Sequence, residues 1–274
     1  MKPKVSVLYI SNRYGGVDIL KSSLDRQTFK DFELVFIDGI HNERKDEVAN
    51  YFINSSYKVK HLPEPIKLEG AIMGLTFAIN EGFRNCDGDL LVLLQDFIYV
   101  PSYGIQKYVD FFNDNLNAFV TGISHQYYYP CKEDITNPKG KITLFESDYI
   151  KKPDIKCWTD PRDTGLGQVR QSFPVEWETN WAACPMSAIK DLGGVDESYA
   201  YNGFNYDNVN LSQRAEFLGY KFYLDPTNEV FCFSHDKWHE NPFKKANLSN
   251  HEYHFKTMDK IRKGESPARL KYLS

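Results

Sequence analysis

The sequence has no long apolar run, no paired cysteines and no excess of charge of one sign. Its longest aliphatic stretch is Leu90 to Leu94, LLVLL, bounded by Asp89 and Gln95. A membrane-spanning helix needs roughly 18 or more apolar residues, so no span is expected. The opening MKPKVSVLYISNR has two lysines and a short apolar stretch broken by Ser6, less than the apolar core of a secretory signal, and reads as a first strand. The five cysteines, Cys86, Cys131, Cys157, Cys184 and Cys232, are odd in number, far apart and without a C-x-x-C pair. That usage fits reduced thiols and a cytoplasmic location better than a disulfide framework. Lys plus Arg total 33 against 37 Asp plus Glu, a formal charge of −4, so bulk electrostatics supply no general attraction to nucleic acid or to an anionic membrane. With only 13 Pro and 17 Gly in 274 residues, a disordered or collagen-like chain is excluded. No G-x-S-x-G, Walker A or H-E-x-x-H string occurs, which leaves nucleophile-elbow, phosphate-loop and zincin chemistry without support. Gly165 and Gly167 are followed by Arg170 where a dinucleotide fingerprint needs a third glycine.

What is present is an ordinary globular balance, 42% hydrophobic and 26% charged, with aromatics high at 15%, including 18 Tyr and 19 Phe. Tyrosine suits surfaces that are partly apolar and partly hydrogen-bonding, such as sugar faces, and it also fills large cores. The apolar pattern alternates between strand-like and helix-like runs. Lys4 to Ile10 reads as a strand ending at Ser11-Asn12-Arg13. Val17, Leu20 and Leu24 mark one face of a helix, and Phe32 to Ile37 reads as a buried strand ending at Asp38-Gly39. A polar helix over 43–54, a strand over 58–62, a helix from about 70 to 83 and a strand over 89–94 continue the series. This alternation predicts an α/β fold with a mostly parallel central sheet flanked by helices. In such sheets ligands bind beyond the carboxyl ends of the strands, which makes Ser11, Asn12, Arg13, Asp38, Gly39, Gln95 and Asp96 the first candidates for function. The stretch 131–180 is polar and weakly periodic. Order resumes at Trp181, with a helix stopping at Gly193-Gly194, a helix over 209–218, strands at 221–224 and 230–233, and a polar, basic end that is helical after Asn250.

Three blocks, in order, resemble the family-2-like glycosyltransferases with the GT-A nucleotide-sugar fold. The first is VSVLYISNR with LKSSLDRQTFKDFELVFIDG; the second is AIMGLTFAINEGFRNCDGDLLVLLQDFIYVP; the third is NWAACPMSAIKDLGGVDESYAYNGFNYDNVNLSQRAEFLGYKF. They are similar to the opening strand and helix, the stretch ending in the D-x-D metal motif, and the acceptor-side helix with its G-G-F-D-E turn and E-D-x-D-L-x-x-R motif. At the metal motif this chain has Gln95-Asp96-Phe97, and at the acidic motif it has Asp207-Asn208-Val209-Asn210-Leu211. The resemblance implies one GT-A domain over 1–235, a nucleotide-binding half (1–100) and a smaller acceptor-side half (101–235), followed by a polar tail over 236–274.

It also implies a glycosyltransferase that moves a sugar from a nucleoside-diphosphate donor, a UDP-sugar first, to the hydroxyl of a glycan or other acceptor, with inversion. Donor contacts fall to Ser11, Asn12, Arg13, Asp38, Gln95 and Asp96. Asp38 would accept hydrogen bonds from the base, although an aspartate before glycine is also ordinary turn chemistry. Asp96, with His235, would hold Mn2+ or Mg2+, hard cations that prefer oxygen ligands. Asp207 would be the general base, and Trp177, Trp181, Tyr201 and Arg214 would face the acceptor, with core packing the stronger expectation for Trp181. Cys232, His235 and His239 also have a zinc-like C-x2-H-x3-H spacing, discounted because a second C-x2-C cysteine is missing. A different class of function is a nucleotide-sugar-binding protein without catalysis, motivated by the neutral Gln95, Phe97, Asn208 and Asn210. The basic end, with Lys244, Lys245, Lys256, Lys260, Arg262 and Lys263, would suit a modified nucleic-acid base as acceptor, but solvated charge is the simpler reading.

Overall fold

A computed structural model describes residues 4–66, 68–127, 156–202, 206–233 and 250–273. The first strands are β1 (Val5–Ser11), β2 (Phe32–Asp38), β3 (Lys58–Pro63) and β4 (Leu90–Gln95), followed by the short β5 (Ile98–Tyr99). Later come β6 (Ala118–Tyr127), β7 (Lys156–Trp158), β8 (Arg170–Gln171), β9 (Trp181–Pro185) and β10 (Lys221–Phe233). They form one sheet in the order β3-β2-β1-β4-β9-β6-β10-β5, with β7 on β6 and β8 on β10. The first four strands are parallel, as are β6 and β10, while β9 runs antiparallel between β4 and β6. The α/β class read from the sequence is present, and its parallel character belongs chiefly to the first half.

The first half is a run of β-α-β units carried by α1 (Val17–Asp25), α2 (His41–Phe52) and α3 (Leu75–Asn85), with α4 (Gly104–Asp114) leading into the second half. Both faces of the sheet are covered, which is why β1, β2 and β4 are nearly continuous apolar runs. Val5, Val7 and Tyr9 pack with Leu20, Leu24 and Leu34 on one face, and Leu8, Val35 and Ile37 pack with Ala78, Phe83 and Ile189 on the other. Helix α3 begins five residues later than its apolar spacing predicts, because Ile72 and Met73 give their N–H groups instead to the carbonyl of Ala200, in the short α6 (Tyr199–Asn202). The two strands expected over 221–233 are one, with its register shifting between Leu224 and Glu229. There Pro226 lacks a ladder donor, and Asp225 accepts from the N–H and hydroxyl of Thr227.

Three expected acceptor contacts are corrected by burial. Trp181 lies in the core of one sheet face, tilted against Tyr108 with ring centroids 4.8 Å apart, and Trp177 in the other, edge-on to Phe119. Neither presents a ring to a ligand. Arg214, in α7 (Asp207–Phe217), is also buried. It donates to the carbonyls of Leu192, Gly194 and Ala268 and to Asn210 Oδ1. Those bonds tie α7 to α5 (Met186–Leu192) and to the end of the chain. Residues of the expected tail are therefore packed: α8 (His251–Arg262) buries Met258 and Ile261 against Leu218, and Leu270 and Tyr272 bond the carbonyls of Leu192 and Gly193. Gly193 is required there, since its φ is 71° and a Cβ would stand 1.8 Å from the carbonyl oxygen of Leu270. On α8 and just after it, Lys256 and Lys263 pair with Glu252 and Asp259 one turn earlier, leaving less net positive charge for a nucleic acid; Lys244 and Lys245 lie outside the described residues.

Candidate active site

In-register pairing of β1 with β2 and β4 brings Ser11 opposite Asp38 and Ile10 opposite Gln95. The loops that follow these strands consequently share one edge of the sheet, and the expected donor residues Ser11, Asn12, Arg13, Asp38, Gln95 and Asp96 gather there. The β2 loop packs close to its neighbour: a Cβ on Gly39 would stand 2.7 Å from both Asn12 Cβ and Glu64 Oε2.

Asp96 is nearly buried and Arg13 is one-third exposed (side chains 5% and 33%). One nitrogen of Arg13, Nη1, lies 2.8 Å from each Asp96 oxygen, and the Ser11 hydroxyl donates to Oδ2 at 3.2 Å. The Arg13 N–H is held by Ser11 Oγ, and its carbonyl accepts from Arg44 Nη1 at 2.9 Å. Gln95 is half-buried, and its N–H reaches the carbonyl of Asn180 just before β9.

Asp38 has a different role from the one expected. Its carboxylate is fully buried; Oδ1 accepts from Ile40 N–H and Arg44 Nη2, and Oδ2 from Arg44 Nε and His61 Nε2. A carboxylate has about four acceptor positions, and these four bonds fill them. Burial alone would raise this carboxyl, but the hydrogen bonds from His61 and Arg44 and the Arg44 charge hold it below its ordinary value. Asp38 thus fixes Arg44 and His61, with no acceptor position left for a base.

The residues at the D-x-D position do not fit a divalent cation. Phe97 is buried against Ile19, Tyr99 and Phe233 with φ 59°, in the left-handed region that a bulky side chain rarely enters. Asp96 is the single carboxylate of that turn, and both of its oxygens already face a guanidinium. Among the described residues no group of three or more His, Cys, Asp or Glu side chains could hold a metal ion. His235 and His239 lie outside the described residues.

On the acceptor side, Asp207 opens α7 and is half-buried. Burial pushes its carboxyl above the ordinary value, outweighing the backbone N–H groups of Asp207 and Asn208 that lower it, which makes it a stronger base once ionised. Tyr201 is exposed, edge-on to Phe77 at 6.2 Å. Three participants were not expected from the sequence. Arg44 lies four and eight residues before Val48 and Phe52, the buried face of α2, so extending that stripe backwards would have found it. His61 is marked only by its place near the end of β3. Glu178, just before β9, is raised by burial and pairs at 3.3 Å with Arg162, which also clamps Asp160.

No protein-family model matches the sequence, and no curated protein does. Solved structures share its fold. The mannosyltransferase PcManGT from Pyrobaculum calidifontis, in complex with GDP-Man and Mn2+, superimposes with a TM-score of 0.61 at 14% identity, over 100% of this chain and 68% of that one. GalNAc-T7, with UDP, GalNAc and Mn2+, gives 0.60 at 15% identity over 85% of this chain. Residues 1–349 of TarS from S. aureus, in complex with UDP, give 0.57 at 11% identity over 84% of this chain. The chain spans 60% of that TarS fragment and 43% of GalNAc-T7. The chain has the GT-A fold. Among the described residues, no helix is long and apolar enough to cross a membrane.

Proposed function

We propose that this chain is a glycosyltransferase that moves a sugar from a nucleoside-diphosphate donor, UDP-linked in the first instance, to a hydroxyl acceptor with inversion. The observation that carries this reading is the gathering of Ser11, Arg13 and Asp96 at the shared end of β1 and β4 in a GT-A fold. The structural neighbours bound to UDP or GDP-Man support a nucleotide-sugar donor. Asn12 and Gln95 supply neutral polar groups beside that cluster. Asp207 takes the proton from the acceptor hydroxyl; the acceptor oxygen attacks the anomeric carbon, and the bond to the diphosphate breaks as negative charge collects on the leaving group. Tyr201 offers an exposed ring for the acceptor.

Incubation with UDP-, GDP-, dTDP- and CDP-sugars, reading thermal shift, donor hydrolysis and transfer, tests the reading. One donor should stabilise the fold and be turned over, and Asp207→Asn should cut turnover by about 10^2- to 10^4-fold with donor binding kept. Full activity of that variant removes Asp207 from the role. The neutral Asn210, engaged by Arg214 Nε and near Met258 Sδ, favours one alternative, a nucleotide-sugar-binding protein. Donor binding without transfer or hydrolysis by the native chain would establish it.

A further inference from the structure

The Arg13–Asp96 pair leaves most of the arginine unused. A guanidinium has five N–H donors in a planar fork, and here Nη1 alone spans both carboxylate oxygens. Among the described residues, Nη2 and Nε of Arg13 have no hydrogen-bond partner, and a third of the side chain is exposed. The backbone beneath it is held on both sides, by Ser11 at the N–H and by Arg44 at the carbonyl. Asp96 is fixed in turn by the Ser11 hydroxyl and by the buried Phe97 next to it. The result is a cation anchored by one nitrogen, with two further nitrogens unbonded, at the strand ends where a GT-A fold receives its ligand. The fork of donors that remains matches the oxygens of a phosphate.

We infer that Arg13 is the cation that receives the donor diphosphate, so that nucleotide binding requires no divalent metal, and that Asp96 is a positioning residue for Arg13. The inference rests on the proposed nucleotide-sugar reading and deepens it. The Arg13–Asp96 pair is neutral overall, as a divalent ion held by two carboxylates would be, and it offers the phosphate oxygens N–H donors in place of a metal. A carboxylate already neutralised by an arginine adds no net repulsion against the incoming phosphates, whereas an unpaired Asp96 would.

The test is calorimetric titration of the full chain with UDP and with GDP, each in chelator and in Mn2+, repeated with Arg13→Gln, Arg13→Lys and Asp96→Asn. The native chain should bind one nucleotide with dissociation constants in chelator and in Mn2+ that agree within about threefold, a difference of under 1 kcal/mol. Arg13→Gln should weaken that binding by about 10- to 100-fold, the loss of charge-assisted hydrogen bonds, with Arg13→Lys recovering part of it. Asp96→Asn should keep binding that is indifferent to metal, and thermal unfolding of each variant shows that the fold is retained. Native binding that is present in Mn2+ and lost in chelator overturns this inference while leaving the glycosyltransferase reading intact, as does Arg13→Gln binding like the native chain. Absence of binding to either nucleotide in both conditions overturns the inference, and the sugar-nucleotide panel then decides whether the function falls with it.

Discussion

Two arginine–carboxylate pairs stand side by side at the strand ends, and they do opposite work. Asp38 and Arg44 are wholly buried, joined by two bonds of 2.8 Å and closed by His61 and the Ile40 N–H. Asp96 and Arg13 share one nitrogen, with the arginine one-third exposed. A buried, saturated pair has no capacity for a ligand; its interactions are spent on holding the loops. A half-open pair keeps donors in reserve at a place where a ligand can reach them. The residue type is the same in both, and solvent access with the number of filled bonding positions separates scaffold from candidate binding group. Arg44 also links the two, through the Arg13 carbonyl.

Removing one partner from each pair should show the difference most clearly. Arg44→Ala leaves the Asp38 charge buried and unpaired, and should cost about 3–5 kcal/mol of unfolding free energy, measured by urea denaturation near neutral pH. Replacing both partners together, Asp38→Leu with Arg44→Met, should recover much of that loss, since no orphaned charge remains. If Arg44→Ala unfolds like the native chain, the pair is not the scaffold described above.

Acid should reach the buried pair late and another buried group earlier. The His254 ring accepts or donates at 2.9 Å to the Tyr199 hydroxyl, and burial, followed by the charges of Arg262 and His251, lowers its pKa to about 4. Its folded value lies below its ordinary 6.5, so the unfolded chain binds the proton first. The corresponding stability is present above about pH 6.5 and declines as the pH falls towards 4. Asp38 is also depressed, from 3.8, and its contribution is present above that value and lost only as the pH falls through its lower folded value. Unfolding followed against pH should therefore show two successive declines. His254→Gln should remove the first and Asp38→Asn should shrink the second, to which the depressed carboxyls of Asp160 and Glu176 also contribute; a single decline below pH 4 in the native chain would refute the His254 part.

The smallest effect on stability is expected at the open pair. Arg13→Gln should change unfolding free energy by no more than about 1 kcal/mol, as for other partly exposed ion pairs, measured by the same denaturation. A loss as large as that of Arg44→Ala would place Arg13 in the scaffold and erase the contrast.

Strand ends were legible because each strand is a short apolar run closed by polar residues, and that pattern is local. Ser11, Arg13, Asp38 and Asp96 were found in this way, as were the helix after Asn250 and the stop at Gly193. Trp177 was read towards an acceptor because an aromatic beside a polar loop has no local mark of burial, while core packing was already the stronger expectation for Trp181; opposite faces of the sheet claimed them. Arg214 was read as an acceptor group because its partners, the carbonyls of Leu192, Gly194 and Ala268, lie as far as 54 residues away. The antiparallel insertion of β9 between β4 and β6 has the same origin, since pairing direction depends on where the connecting chain returns.

By itself, then, the sequence determined the order of strands and helices up to β4, and which polar residues close those strands, because periodicity and turn chemistry act over a few residues. Tertiary structure alone decided which charges satisfy one another. Arg13 meets Asp96 across 83 positions and His61 meets Asp38 across 23, and a carboxylate buried among donors is already satisfied, whereas a guanidinium left partly in solvent still has bonds to make.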